Sequence, residues 1–180
     1  MSNAQLVLVT GPARSGKSEW AERLAIATAL PVTYLATSAY GNDDPEWQAR
    51  LERHRLRRPP HWRTREGPEA LMDELAIASA DRCLLVDSLG TWVAAYLEEP
   101  DPAWEQRSGQ LLGLLESCPT PVIAVAEETG WGVVPAYPLG RSFRDRLGHL
   151  TRAVGQRAAR TYLCTAGFAL DLRQLGHPID

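Results

Sequence analysis

A chain of 180 residues, 44% hydrophobic and 23% charged, has the size and make-up of one globular domain that buries a core without disulfides. A net charge of −3 offers no electrostatic footprint for nucleic acid, and no apolar stretch approaches the length of a membrane span. Cys83, Cys118 and Cys164 are too few and too scattered for a disulfide framework or a zinc spacing; with no signal-peptide pattern at the start, the expectation is a reducing, cytoplasmic setting and small buried thiols.

In chain order, Leu6 to Thr10 is a continuous apolar run of the kind that forms a strand buried on both faces. It runs into Gly11-Pro12-Ala13-Arg14-Ser15-Gly16-Lys17-Ser18 and then into the helix-like segment Glu19 to Leu30. The eight residues fit the phosphate-binding pattern G-x-x-x-x-G-K-[ST] at every fixed position. Its glycines let backbone N–H groups approach phosphate oxygens, the new helix directs its positive end at them, Lys17 adds a charge, and Ser18 can hold Mg²⁺. Of the 19 basic residues 18 are Arg, so the only lysine in the chain stands where a compact ammonium suits a phosphate.

Pro31 ends the first helix and Val32 to Ala36 reads as a second strand, which delivers Thr37 and Ser38 to its carboxyl end, where open α/β sheets collect ligands. A helix from Pro45 to about Leu56 follows, with Trp47, Leu51 and His54 on one face and Arg50, Arg53, Arg55, Arg57 and Arg58 around the rest. His61 to Glu66 alternates in polarity like an extended segment. The basic stretch from Arg50 to Arg65 calls for a small anionic partner. Within it His54 has two readings, a bystander on a solvated face or a nucleophile toward a phosphate that the arginines neutralise.

Pro68 to Ala80 is helical, and Cys83 to Asp87 is an apolar strand with an acidic tip. Beside a phosphate loop that carboxylate holds Mg²⁺ or its water shell; alternatively Asp87 caps the next helix. Trp92 to Leu97 and Trp104 to Glu116 are helical, with Pro100-Asp101-Pro102 as a breaker between them. Pro121 to Ala126 is another strand, leading into the glycine-rich Glu127 to Gly132. Arg141 to Arg160 is a long helix with the stripe Phe143, Leu147, Leu150 and Val154; its Arg141, Arg144 and Arg146 either clamp phosphate or solvate a helix face. Tyr162 to Thr165 and Phe168 to Leu172 are the last strands, the final one antiparallel. Strands alternating with helices predict a mostly parallel sheet covered on both faces. The loop motif alone leaves kinase, molecular switch and motor ATPase open.

Further blocks narrow the choice. The phosphate loop, then Tyr34-Leu35-Ala36-Thr37-Ser38, then Arg50-Leu51 with His54, Arg58-Pro59, Trp62, Thr64 and Glu66, resemble the bifunctional adenosylcobinamide kinase/adenosylcobinamide-phosphate guanylyltransferase family of cobalamin assembly. Glu128 with Gly130 to Pro135, then Leu139, Arg141, Phe143-Arg144-Asp145 and Leu147-Gly148, are similar to that family's second signature. The resemblance implies a single P-loop NTPase domain over residues 1–180, RecA-like, with an antiparallel C-terminal edge strand. It implies phosphorylation of adenosylcobinamide by ATP or GTP, then GMP transfer from GTP through a guanylyl-histidine, assigned to His54, onto adenosylcobinamide phosphate. Arg55 and Arg58 would offset phosphate charge, Thr37, Ser38, Glu66 and Asp87 would line the guanine nucleotide site with Glu66 reading the base, Ser18 and Asp87 would meet Mg²⁺, and the protein would be a homo-oligomer, a trimer by family habit. The chain departs from the family pattern at Glu127, where asparagine is common, and at Thr151-Arg152, where an Asn-Gln pair is usual.

Overall fold

The computed structural model describes residues 3–38, 49, 52 and 55–179. Among them seven strands form one sheet in the order β3-β2-β4-β5-β1-β6-β7. These are β1 (Asn3–Gly11), β2 (Val32–Ala36), β3 (Arg63–Glu66), β4 (Cys83–Asp87), β5 (Val122–Glu127), β6 (Ala158–Thr165) and β7 (Phe168–Asp171). All neighbours run parallel except β6 and β7. The helices are α1 (Lys17–Ala27), α2 (Glu69–Ala76), α3 (Leu89–Ala95), α4 (Asp101–Ser117), α5 (Pro138–Arg157) and the single turn α6 (Leu172–Leu175).

The central strands are apolar throughout because both faces are covered, and alternation sorts their side chains. Leu84 and Val86 join Leu6, Leu8 and Leu35 in the core beneath α2 to α5, while Cys83 and Leu85 join Val9, Tyr34 and Ile123 beneath α1. All three cysteines are free and buried. On α5 the stripe falls as its spacing requires, with Leu147, Leu150 and Val154 buried and Phe143 packed at the edge.

Several expected boundaries shift. The extended Pro100 parts α3 from α4 as expected, but Asp101 and Pro102 already belong to the first turn of α4, where proline forfeits no hydrogen bond. Pro138 opens α5 for the same reason, before Arg141. That helix ends at Arg157 because Ala158 to Arg160 pair with β1 and lengthen β6. The extended segment after His61 is β3, an edge strand parallel to β2. Of the helix expected over 45–56, Ala49, Glu52, Arg55 and Leu56 are helical; the remainder lies outside the described residues.

Candidate active site

The loop between β1 and α1 is shaped for an anion. A Cβ at Gly11 would lie 2.4 Å from the Cys164 carbonyl oxygen and 2.6 Å from Ser15 Oγ, so only glycine fits. Gly16 adopts a left-handed conformation (φ 86°) and begins α1 without a side-chain cap, leaving the first N–H groups of the helix to a ligand. The Ser15 hydroxyl is buried with no hydrogen-bond partner, as expected of a group that awaits a phosphate oxygen. Lys17 and Ser18 are both buried, and the Lys17 ammonium donates to the Pro12 carbonyl at 3.2 Å. It is thus folded back over the loop that it would serve. Ala13 and Arg14 are exposed at the loop's tip.

Register brings the other candidates to the same edge. Glu66 pairs with Ala36 and Ala36 with Asp87, so Glu66, the Thr37-Ser38 exit and Asp87 form a row across three neighbouring strand ends. On the far side Glu127 pairs with Gly11. Four strand spacings separate β3 from β1, about 19 Å, which puts Glu66 and the phosphate loop at opposite ends of one crevice.

Within this row Thr37 and Asp87 have definite duties. The Thr37 hydroxyl is wholly buried, donates to the Ser88 carbonyl and accepts the Ser88 N–H at 3.1 Å. It therefore ties β2 to the start of α3, and it is Ser38, half-buried one residue on, that stands nearer the open edge. Ser88 caps α3 by accepting from the Thr91 N–H, so Asp87 is relieved of the capping duty that its position allowed. The Asp87 carboxylate accepts instead from the Tyr34 hydroxyl. Burial, then the neighbouring Asp87 charge, push the Tyr34 phenol well above its ordinary value, so it remains a neutral donor. The Arg58 guanidinium lies over the Tyr34 ring, 3.6 Å from its centre, which joins Arg58, Tyr34 and Asp87 in one stack.

Glu127 is the residue that sequence reasoning undervalued. Its carboxylate accepts from the Ser88 hydroxyl at 2.6 Å and the Gly90 N–H at 3.1 Å. Desolvation raises its pKa, against the pull of Ser88 and Lys17. Its neighbour Glu128 accepts from the Thr10 hydroxyl at 2.9 Å, and the Glu128 N–H donates to the Gly11 carbonyl. Two carboxylates after an apolar strand were the only signal, and spacing could not say which one is tied to the start of α3.

Three arginines of the basic stretch are answered inside the chain. Arg57 makes paired hydrogen bonds to the buried Glu22 and reaches Glu19 at 2.7 Å, while Arg63 and Arg65 lie within 3.3 Å of the buried Glu74. Less positive charge is therefore left for an external anion than the count of arginines implies. Arg55 is exposed, and His54 lies outside the described residues. Arg146 neither clamps phosphate nor faces solvent: it is buried and donates to the carbonyls of Tyr96, Leu97 and Glu99 and to Asp101. His61, His149 and His177 are exposed.

The fit to Mg²⁺ rests on oxygen donors. Ser18 and Asp87 stand at this edge, and no group of three or more His, Cys, Asp or Glu suited to a metal occurs among the described residues. An ion held there by the Ser18 and Asp87 oxygens would take its remaining ligands from phosphates and water.

A model of the family described as cobinamide kinase / cobinamide phosphate guanyltransferase matches residues 7–172. The bifunctional adenosylcobalamin biosynthesis protein CobP of Pseudomonas aeruginosa is 43% identical over 176 residues, covering 96% of this chain and 98% of that protein. CobU of Escherichia coli, of the same description, is 35% identical over 93% of this chain and 99% of its own length. Among solved structures, the flagellar accessory protein FlaH of Methanocaldococcus jannaschii superposes with a TM-score of 0.51 at 13% identity, over 99% of this chain and 84% of that one, a likeness of fold alone. The fold is that of the P-loop NTPases, and the match over nearly the whole length shows that the chain belongs to the cobinamide kinase / cobinamide phosphate guanyltransferase family.

Proposed function

We propose that this chain, as one nucleotide-binding domain, phosphorylates the aminopropanol hydroxyl of adenosylcobinamide with ATP or GTP and then guanylylates the product. The observation that carries the kinase half is the capless start of α1 with Ser15 unpaired and Lys17 drawn over the loop. Backbone N–H groups and the ammonium would hold β- and γ-phosphates where charge accumulates during transfer. Ser18 and Asp87 would hold Mg²⁺, which neutralises phosphate charge when bound. Tyr34, a neutral donor, would fix the Asp87 carboxylate in orientation, and Arg58 stacked behind it would supply positive potential.

In the second half an imidazole nitrogen of His54 attacks the α-phosphorus of GTP, pyrophosphate departs, and the phosphoramidate passes GMP to adenosylcobinamide phosphate, giving adenosylcobinamide-GDP. Glu66, at the far end of the row, would accept from guanine N1–H and its 2-amino group, with Ser38 beside it. No helix among the described residues is long and apolar enough to cross a membrane, which suits cytoplasmic chemistry on soluble nucleotides. Self-association is supported by the exposed apolar run Trp131, Val133, Val134, Tyr137 and Leu139; light scattering of the purified protein measures it. Incubation with GTP carrying a radioactive α-phosphate tests the transferase reading. Wild type is expected to retain label through denaturation and His54→Ala to take none; an unlabelled wild type sinks the covalent mechanism, leaving a simple kinase.

A further inference from the structure

On the face opposite α1, a cavity of about 540 Å³ opens between α5 and residues 172–179. Its volume lies within the roughly 300–1,000 Å³ of small-molecule sites. Leu8, Leu172, Pro178 and Ile179 give it apolar walls, and Thr10, Glu127 and Glu128 stand at the end that adjoins the phosphate loop. It is held shut along one side by specific bonds: Arg173 donates to the carbonyls of Gly155 and Gln156, and the Gln156 side chain donates to the Ile179 carbonyl at 2.8 Å. Inside, Thr161 is only 9% exposed and its hydroxyl has no hydrogen-bond partner; the Thr151 hydroxyl, buried in the same wall, has none either. Two unpaired hydroxyls in an apolar chamber are costly unless a ligand completes them. Glu127, Thr151 and Arg152, the three positions where the sequence departs from the family pattern, all line this chamber.

We infer that this cavity is a subsite for the acceptor, taking one neutral amide-bearing arm of the corrinoid. The inference rests on the function proposed above. A primary amide supplies a donor and an acceptor to match Thr151 and Thr161, and its methylene stem suits Leu8 and Leu172. Glu127 and Glu128 at one end and Arg144, Arg152 and Arg173 elsewhere in the lining give it both signs of charge around apolar walls, which suits a neutral polar arm rather than an ion of either sign. The corrin ring is too broad to enter and would rest over the mouth beside Glu128 and Arg144. From there the arm that carries the reactive hydroxyl can extend to the loop between β1 and α1. Nucleotide and acceptor then approach the same strand ends from opposite faces of the sheet.

Equilibrium dialysis of cobinamide against the full chain, read by corrin absorbance without nucleotide, tests this apart from turnover. A Cβ at Gly155 would meet Leu8 at an ordinary 3.4 Å and lie 3.9 Å from the Thr161 hydroxyl, so Gly155→Leu fills the chamber's floor. It is expected to weaken cobinamide binding at least tenfold while Kd for a fluorescent GTP analogue changes less than twofold. Thr161→Val, which removes only the hydroxyl, is expected to weaken cobinamide binding threefold or more and decides the matter if Gly155→Leu also loses the nucleotide. Wild-type affinity for cobinamide in both variants overturns the assignment, as does a wild type that binds no cobinamide. A wild type that binds cobinamide without phosphorylating it refutes the proposed function instead, and the variant ratios still judge the cavity.

Discussion

The contact between Gly90 and Glu127 offers the sharpest test of how the site is held. In Gly90→Ala the new Cβ would stand 2.0 Å from Glu127 Oε2 and 2.8 Å from its Cδ, distances that force the carboxylate to move. Glu127 is half-buried and held by the Ser88 hydroxyl and the Gly90 N–H, so moving away from the new Cβ breaks at least one of those bonds. Overpacking of this kind costs about 1–3 kcal/mol, and the lost bond from the Gly90 N–H to a carboxylate roughly 1.5–3 kcal/mol. Against these stands a gain of up to about 1 kcal/mol for alanine over glycine in a helix. A net destabilisation of about 2–4 kcal/mol is expected in urea unfolding. The decisive measurement is the cycle with Glu127→Ala: once the carboxylate is gone, Gly90→Ala should be neutral or stabilising, a coupling of roughly 2–4 kcal/mol. Coupling below about 0.5 kcal/mol would refute the packing argument. Phosphoryl transfer should fall in Gly90→Ala more than stability alone explains, because Ser88 directly follows Asp87.

Lys17→Ala is expected to lower both cobinamide phosphorylation and GMP labelling by at least about 100-fold, whereas His54→Ala abolishes labelling and leaves phosphorylation measurable; a Lys17→Ala enzyme that labels normally would mean that the two reactions use different loops. Glu127 has a folded-state pKa above its unfolded one, so the stability tied to it is present below the ordinary carboxylate range and lost as pH rises through the raised value. Unfolding free energies across pH should show Glu127→Gln gaining on wild type over that window and level above it; a gap independent of pH contradicts the assignment. Arg146→Ala leaves three carbonyls that buried guanidinium had satisfied and should cost roughly 2–4 kcal/mol by chemical denaturation, with little change in Kd for nucleotide.

Much of the fold can be read from periodicity because the central strands are buried on both sides and announce themselves as unbroken apolar runs. Leu6 to Thr10 and Cys83 to Asp87 need no tertiary information to be recognised, and the eight-residue glycine loop between a strand and a helix specifies its own geometry. Pairing partners are harder. Nothing in the run from Arg57 to Arg65 shows that Glu22, on a helix some 35 residues earlier, and Glu74, on one that follows, will neutralise it. A glutamate at a strand end is equally soluble or buried until the neighbouring strand and the missing side chain at Gly90 make room for it. Tyr34 gave a clue that could have been used: a hydroxyl in the wholly buried Val32 to Ala36 requires a partner, and the next apolar strand ends in an acid. The chamber under α5 was out of reach, since it depends on where residues 172–179 cross a helix.

The solitary lysine turns the phosphate loop into a reporter. A lysine-specific endoprotease has one cleavage site in this sequence, after residue 17, and there the side chain is 5% exposed at the start of a helix. Digestion under native conditions therefore reads every opening, local or global, that exposes this loop, through the appearance of a single pair of fragments. Where cleavage is slow beside reclosing, its rate tracks the free energy of that opening. Each nucleotide should slow it by the factor one plus its concentration over its Kd, so a panel of nucleotides ranked by protection gives their affinities for the loop without any turnover.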